Sequence, residues 1–319
     1  MRARIGRLEF DRIRQWMPIV TLALLIALVG AFQPGLLEPA TLLQLASDTA
    51  VLFVLATGVT FVIMIGGIDL SIQWMASLAS VIVALTVSRW GYAAFAFAIA
   101  AGILAGFFSG VAHVRLKVPS FIATLAMGGV LFSAALVLSK ERSITLKTSE
   151  RDYQTWITGT LLGVPNVIVI ALIVLAVAHT IQSRTRFGRY SAAIGAGEPA
   201  AYASGVKIDR QKIIALVLSG ACAGLAGVIL AGRLASGSPT LASELLLPSI
   251  AAVVVGGTAI TGGVGSTGRT LIGALIISVV RIGMTFVGIN IFAQNIVFGA
   301  VLIGAVAVTI DRSKIPIVK

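Results

Sequence analysis

Residues 262–270 read GGVGSTGRT, and Gly263, Gly268 and Thr270 stand at the spacing of a phosphate-binding loop, Gly-x-x-x-x-Gly-Lys-Thr. Such a loop needs its lysine to reach the terminal phosphates, and it joins a buried strand to a helix in an α/β domain. Here Arg269 holds the lysine position and apolar runs flank the loop on both sides. Glycines at such a place let backbones bend and approach one another. The expectation is a tight turn between membrane spans, with no nucleotide held by this chain. Metal and redox chemistry fare no better. His113 and His179 stand far apart without acidic or thiol partners at ligand spacing, and Cys222 is a single cysteine in an apolar run.

Two other stretches bring polar groups into apolar surroundings. The first, VTFVIMIGGIDLSIQWMASLASVIVA, spans residues 59–84. Gly66 and Gly67 interrupt a helix, and Asp69 and Ser71 follow at the start of the next. A carboxylate at membrane depth costs roughly 3 kcal/mol and needs a partner or water. Asp69 fits either a plain helix cap at a loop or a place in a solute path or gate. Gln73 and Trp74 come directly after. The second stretch is RTRFGRYSAAIGAGEPAAYASGVKIDRQK, residues 184–212, with six basic residues against Glu198 and Asp209. Its Glu198-Pro199-Ala200-Ala201 predicts a short helix ending at Gly205. That helix suits docking into a partner's groove; a basic loop on lipid headgroups is the other reading.

The elements that must position these residues follow from composition. Of 319 residues 58% are hydrophobic, only 11% are charged, and mean hydropathy is +1.03. A soluble domain carries about 25% charge, so the chain is an all-α polytopic membrane protein, a single transmembrane domain over 1–319. The net charge of +12 then points to loops on one membrane face and to the lipid bilayer rather than to nucleic acid. Ten spans are expected at 16–33, 46–65, 73–88, 91–111, 119–139, 163–181, 212–232, 245–262, 268–287 and 291–310. The first, after a basic start and without a small-residue cleavage site, is a retained anchor.

Basic residues orient the spans. With the N-terminus inside, 17 of the 24 Lys and Arg fall on the cytoplasmic side: Arg2, Arg4, Arg7, Arg12, Arg14, Arg115, Lys117, Arg184, Arg186, Arg189, Lys207, Arg210, Lys212, Arg269, Arg312, Lys314 and Lys319. Arg281 alone lies inside a span, and depth makes Asp48 or Glu244 its expected partner. Asn290, Gln294 and Asn295 open the tenth span as uncharged polar candidates for a solute path, beside Ser71 and Gln73. One constant offset pairs Gly66 with Gly237, Gly102 with Gly273, Phe121 with Phe292 and Gly128 with Gly299. The same offset carries spans two to five onto seven to ten, which predicts two inverted repeats.

Four passages together, GGIDLS at 66–71, VPSFIATLAMGG at 118–129, RTRFGRYSAAIGAGEPAAYASGV at 184–206 and AAVVVGGTAITGGVGSTGRTLIGALI at 251–276, resemble the membrane permeases of bacterial ABC sugar importers. The resemblance implies a non-enzymatic transport subunit in the bacterial inner membrane, both termini cytoplasmic. It works beside a cytoplasmic subunit that binds the ATP, a second permease subunit, and a periplasmic or lipoprotein sugar-binding protein. It also implies that 184–212 is the coupling loop, with Arg186, Glu198, Pro199, Ala200, Ala201 and Gly205 facing the ATPase. The family's core there, Glu-Ala-Ala-x-x-x-Gly, has Pro199 at the Glu position here. After GGIDLS the family continues Val-Gly-Ser, where this chain has Ile72-Gln73-Trp74. The solute path implied runs past Gly66, Gly67, Asp69, Ser71, Gln73 and Trp74. The cargo expected is a pentose or hexose; a sugar alcohol, an autoinducer-like sugar, a nucleoside or a purine fits the same machinery. An ion-driven secondary transporter is the rival class and needs a carboxylate deep in a span, whereas Asp48 and Asp69 fall near span ends.

Overall fold

The computed structural model describes residues 2–309, so Arg312, Lys314, Lys319 and the last residue of the tenth span lie outside the described residues. Twelve helices carry the architecture: α1 (Arg2–Phe32), α2 (Pro39–Met64), α3 (Ile72–Trp90), α4 (Ala93–Arg115), α5 (Ser120–Ser139), α6 (Asn166–Arg184), α7 (Arg186–Ala196), α8 (Glu198–Ala203), α9 (Ile208–Leu234), α10 (Leu246–Val255), α11 (Thr267–Phe286) and α12 (Ile291–Thr309). Seven of them, α2 to α6, α9 and α11, are long and apolar enough to cross a membrane. Four short helical turns, two α and two 3-10, and two minimal antiparallel ladders lie in the connections. One ladder pairs Ile144–Thr145 with Ser236–Gly237 and so ties the α5–α6 connection to the segment after α9. The fold is an all-α polytopic membrane protein.

The centre is α2. Every residue from Thr49 to Met64 is buried, on all faces, as expected of a helix without a polar stripe. Its hydroxyls are kept out of the apolar surroundings by bonding back one turn, Thr57 to the Phe53 carbonyl at 2.8 Å and Thr60 to Ala56 at 2.8 Å. Around it, α9 packs on α4 along a glycine seam. A Cβ on Gly102 would collide with the Gly220 carbonyl, and one on Gly106 with the Leu216 carbonyl. Small residues allow such close helix approach in lipid, where the hydrophobic effect adds little between spans. The outer faces of α4, α5 and α6 carry exposed Leu104, Phe108, Leu125, Val130, Val137 and Leu172, the surface that a bilayer covers.

The repeat is visible in the packing. The shift that carries Gly66 to Gly237 places α2 to α5 on α9 to α12. The partners exchange accordingly: α4 lies on α9 as α11 lies on α2, α3 on α4 as α10 on α11, and α3 on α5 as α10 on α12. The eighth expected span, 245–262, is corrected. Its helix is only Leu246–Val255, about 15 Å at 1.5 Å per residue, and half a bilayer. Gly256 and Gly257 end it, Gly257 at φ +90°, although the apolar composition continues through Ile260.

Candidate functional site

Between α2 and α3 the chain leaves the helix at Ile65, turns at Gly66 (φ +77°) and runs to Leu70 without helix or strand. A non-helical stretch inside a bundle must find partners for its amides. Hydroxyls on α5 supply them: Ser120 Oγ accepts from the Ile68 amide at 2.9 Å and Thr124 Oγ1 from the Leu70 amide at 3.0 Å. Asp69 is 1% exposed. One carboxylate oxygen accepts from the Ser71 amide at 2.9 Å and the Ser71 hydroxyl at 2.6 Å, the other from Ser219 of α9 at 2.7 Å. The plain-cap alternative is thereby corrected. Ser71, not Asp69, precedes the first helical residue, and the carboxylate is a buried strut to a helix of the other half of the chain.

The 184–212 connection contains α7 as well as the short helix. Thr185 separates α6 from α7, and Gly197 separates α7 from α8. The short helix runs Glu198–Ala203 with Pro199 in its first turn, and Gly205 follows at φ +79°. Ala201 is buried, while Pro199, Ala200, Tyr202 and Arg186 are exposed. Glu198 is bound to Lys212 of α9 at 2.8 Å, half exposed and so worth little energetically.

The glycine loop closes the arrangement. Gly262 and Gly263 both take left-handed φ values, +87° and +80°. The Gly263 amide donates to the Met64 carbonyl at 2.9 Å, and the Ala259 amide to Val264 at 2.9 Å. These amides serve the chain's own carbonyls. Gly195 of α7 lies against them so closely that a Cβ there would collide with the Gly263 nitrogen and the Met64 carbonyl oxygen. A Cβ on Gly262 would stand 2.8 Å from the Gly66 nitrogen and 2.9 Å from Gly195 Cα. Three glycine-bearing segments meet: the end of α2, the loop before α11, and α7 of the 184–212 connection.

Gln182 clamps this junction and no motif announces it. From the end of α6 its amide group donates to the Gly265 carbonyl at 2.7 Å, while its oxygen accepts from the Thr267 amide at 2.9 Å and the Thr267 hydroxyl at 3.1 Å. A lone glutamine closing an apolar run is the only signal in the sequence. Thr60 of α2 and Thr270 of α11 share a hydrogen bond of 2.8 Å nearby.

The remaining expected residues scatter. Trp74 packs against Phe132 of α5, the rings tilted at 45° with centroids 4.6 Å apart, and lies against Gly128, so the indole packs between α3 and α5; Gln73 beside it is partly buried. Asn290 is exposed and accepts from the Phe292 amide at 2.9 Å. Gln294 is buried and donates to Thr285 and to the Ile289 carbonyl, stitching the α11–α12 turn. Only Asn295 of this trio reaches a charged group, donating to Glu244. The expected pairing of Arg281 is corrected: Asp48 is paired with Arg233 and Glu244 with Asn295. Arg281 has no ion pair among the described residues.

A family profile described as branched-chain amino acid transport system, permease component, matches residues 41–306. The ribose import permease protein RbsC of Haemophilus influenzae is 37% identical over 84% of this chain and 83% of its own length. That of Bacillus subtilis is 35% identical over 83% and 84%, and the fructose import permease protein FrcC of Rhizobium meliloti 30% over 78% and 72%. No solved structure matches the chain. The profile and these relatives show that the chain belongs to the membrane permease family of ABC sugar importers.

Proposed function

We propose that the chain is the permease subunit of a binding-protein-dependent importer that carries a pentose or hexose into the cell. It lies in the bacterial inner membrane with both termini cytoplasmic, in line with the basic residues on the 184–212 side. A separate cytoplasmic subunit binds and hydrolyses ATP, a second permease completes the pore, and a binding protein delivers sugar from outside. The names of the relatives, ribose and fructose import permeases, support the cargo class.

One observation carries the mechanism: α7 is packed backbone to backbone on both the Gly66 turn and the Gly262–Gly263 turn. An ATPase closing under the exposed Pro199–Tyr202 face pushes α8 and α7 together. That displacement is delivered to the ends of α2 and the start of α11, with no side chain between to absorb it. The loop face and the opposite face then open in alternation, and ATP and loaded binding protein bias the two states. Full charges are not needed along such a path for a neutral sugar; hydroxyls and amides suffice.

The test uses the chain in nanodiscs with its ATPase and binding protein. Hydrolysis should rise several-fold with one sugar-loaded binding protein and lose that response in Gly205→Trp, which places an indole at the left-handed turn after α8. Solute movement on an ion gradient alone, without any ATPase, sinks the reading.

A further inference from the structure

A cavity of about 520 Å³ lies among the ends of α2, α9 and α11 remote from the 184–212 connection. Its size falls within the roughly 300–1,000 Å³ of small-molecule sites. Asp48, Arg233, Glu244 and Arg281 line it, with the hydroxyls of Ser278 and Thr285 between them. In a chain with 11% charged residues, four in one cavity is a concentration that needs a reason, because charges at membrane depth are costly unless paired or solvated.

Two of the four satisfy each other. Arg233 is paired with Asp48 and also donates to the Ser47 carbonyl at 3.1 Å. The other two do not. Glu244 accepts from Asn295 through one oxygen, and the Arg281 guanidinium has no hydrogen-bond partner among the described residues. The cavity therefore offers a strong acceptor and a five-donor fork with zero net charge among the four groups. That combination fits vicinal hydroxyls, each of which is donor and acceptor at once. It fits an anion poorly, because Glu244 and Asp48 cancel the two cations.

We propose that this cavity is a low-affinity binding site for a neutral polyhydroxylated solute, with Glu244 accepting from one hydroxyl and Arg281 donating to its neighbour. The site deepens the transport reading above by placing the cargo's first contact on the permease. Asp48 and Arg233 form the fixed wall and Ser278 adds a hydroxyl, while the Thr285 hydroxyl is held by donating to the Arg281 carbonyl at 3.0 Å.

The experiment is cysteine protection. Ser243→Cys at the cavity wall, in a Cys222→Ala chain in nanodiscs, is labelled with a membrane-impermeant maleimide in the presence of neutral pentoses, hexoses and polyols. Gluconate serves as the anion of matching size, and Leu162→Cys, fully exposed on the hairpin at 160–165, as the external control. At least one neutral solute should slow labelling at position 243 several-fold and leave position 162 unchanged. Glu244→Gln and Arg281→Met, each monodisperse by gel filtration, should abolish that protection. In the full complex they should lower uptake several-fold while the loaded binding protein still stimulates hydrolysis. Four results overturn the site: no labelling at 243, no protection by any neutral solute, protection by gluconate alone, or protection that survives both substitutions. A complex whose hydrolysis ignores every loaded binding protein defeats the importer reading by itself, and protection on the isolated chain still decides the site.

Discussion

The two helix breaks occupy the same place in the internal repeat, and they are built in opposite ways. The break at 65–71 lies beside the 184–212 connection, and its polar groups are satisfied inside the protein by Ser120, Thr124, Ser71 and Ser219. The break at 235–245 lies beside the 140–165 connection. Ser80 Oγ accepts from the Ser238 amide at 3.2 Å and Ser77 Oγ from the Ala242 amide at 3.1 Å, so its backbone is also held. Its charged residue, however, faces a cavity. The repeat shift carries Asp69 onto Thr240, and the carboxylate of the second break, Glu244, stands further along with an amide as its partner. Two breaks of one architecture have diverged, the first into a closed joint and the second into the lip of an open space.

Breaking the closed joint should have the largest effect. Gly195→Ala puts a Cβ onto backbone atoms of two other segments that have nowhere to go. The expected outcome is loss of the monodisperse peak in fluorescence-detected gel filtration. Gly268→Ala in the same region meets nothing nearer than 3.7 Å and should keep the peak. A tolerated Gly195→Ala would show that the junction is loose and that α7 does not report to both turns.

Next comes the strut. Asp69→Ala leaves the Ser71 amide, the Ser71 hydroxyl and the Ser219 hydroxyl without their acceptor, a loss of about 2–4 kcal/mol for a buried hydrogen-bonded network. Its counterpart, Thr240→Val, removes an exposed hydroxyl whose only partner among the described residues is Ser238, and should cost below about 0.5 kcal/mol. Thermal inactivation of the two variants side by side measures the asymmetry; equal losses would remove it.

The ion pair on the open side should also contribute little. Asp48→Asn breaks the ion pair with Arg233, whose side chains are 49% and 21% exposed. Such a pair is worth about 0.2–1 kcal/mol and is screened by salt, so the difference in melting from the parent chain should shrink as ionic strength rises.

Much of this was legible in the residues. Long apolar runs mark the crossings, paired glycines mark the break at 66–67, and Pro199 with Gly205 brackets α8. What stayed hidden depends on direction around a helix axis rather than depth along it. Asp48, Glu244 and Arg281 fall at similar depth, so sequence distance from the span ends could not say that Arg233 would face Asp48. The shortness of α10 was hidden because hydropathy sums composition, and only the backbone angle at Gly257 ends the helix. Ser219 as the partner of Asp69, and Gln182 as the clamp of the glycine loop, are contacts between distant parts of the chain that no local pattern encodes.

The glycine seam between α4 and α9 has a consequence for how such a chain can vary. At Gly102, Gly106 and Gly220 the neighbours are main-chain carbonyls, which have no rotamers to exchange. A saturation library should therefore show all-or-none survival at these three positions, with no graded preference by size. On the bilayer face, Leu125, Val130 and Val137 should accept almost any apolar residue. Variation is therefore expected to concentrate in the lipid-facing shell, with the two seam helices changing only together.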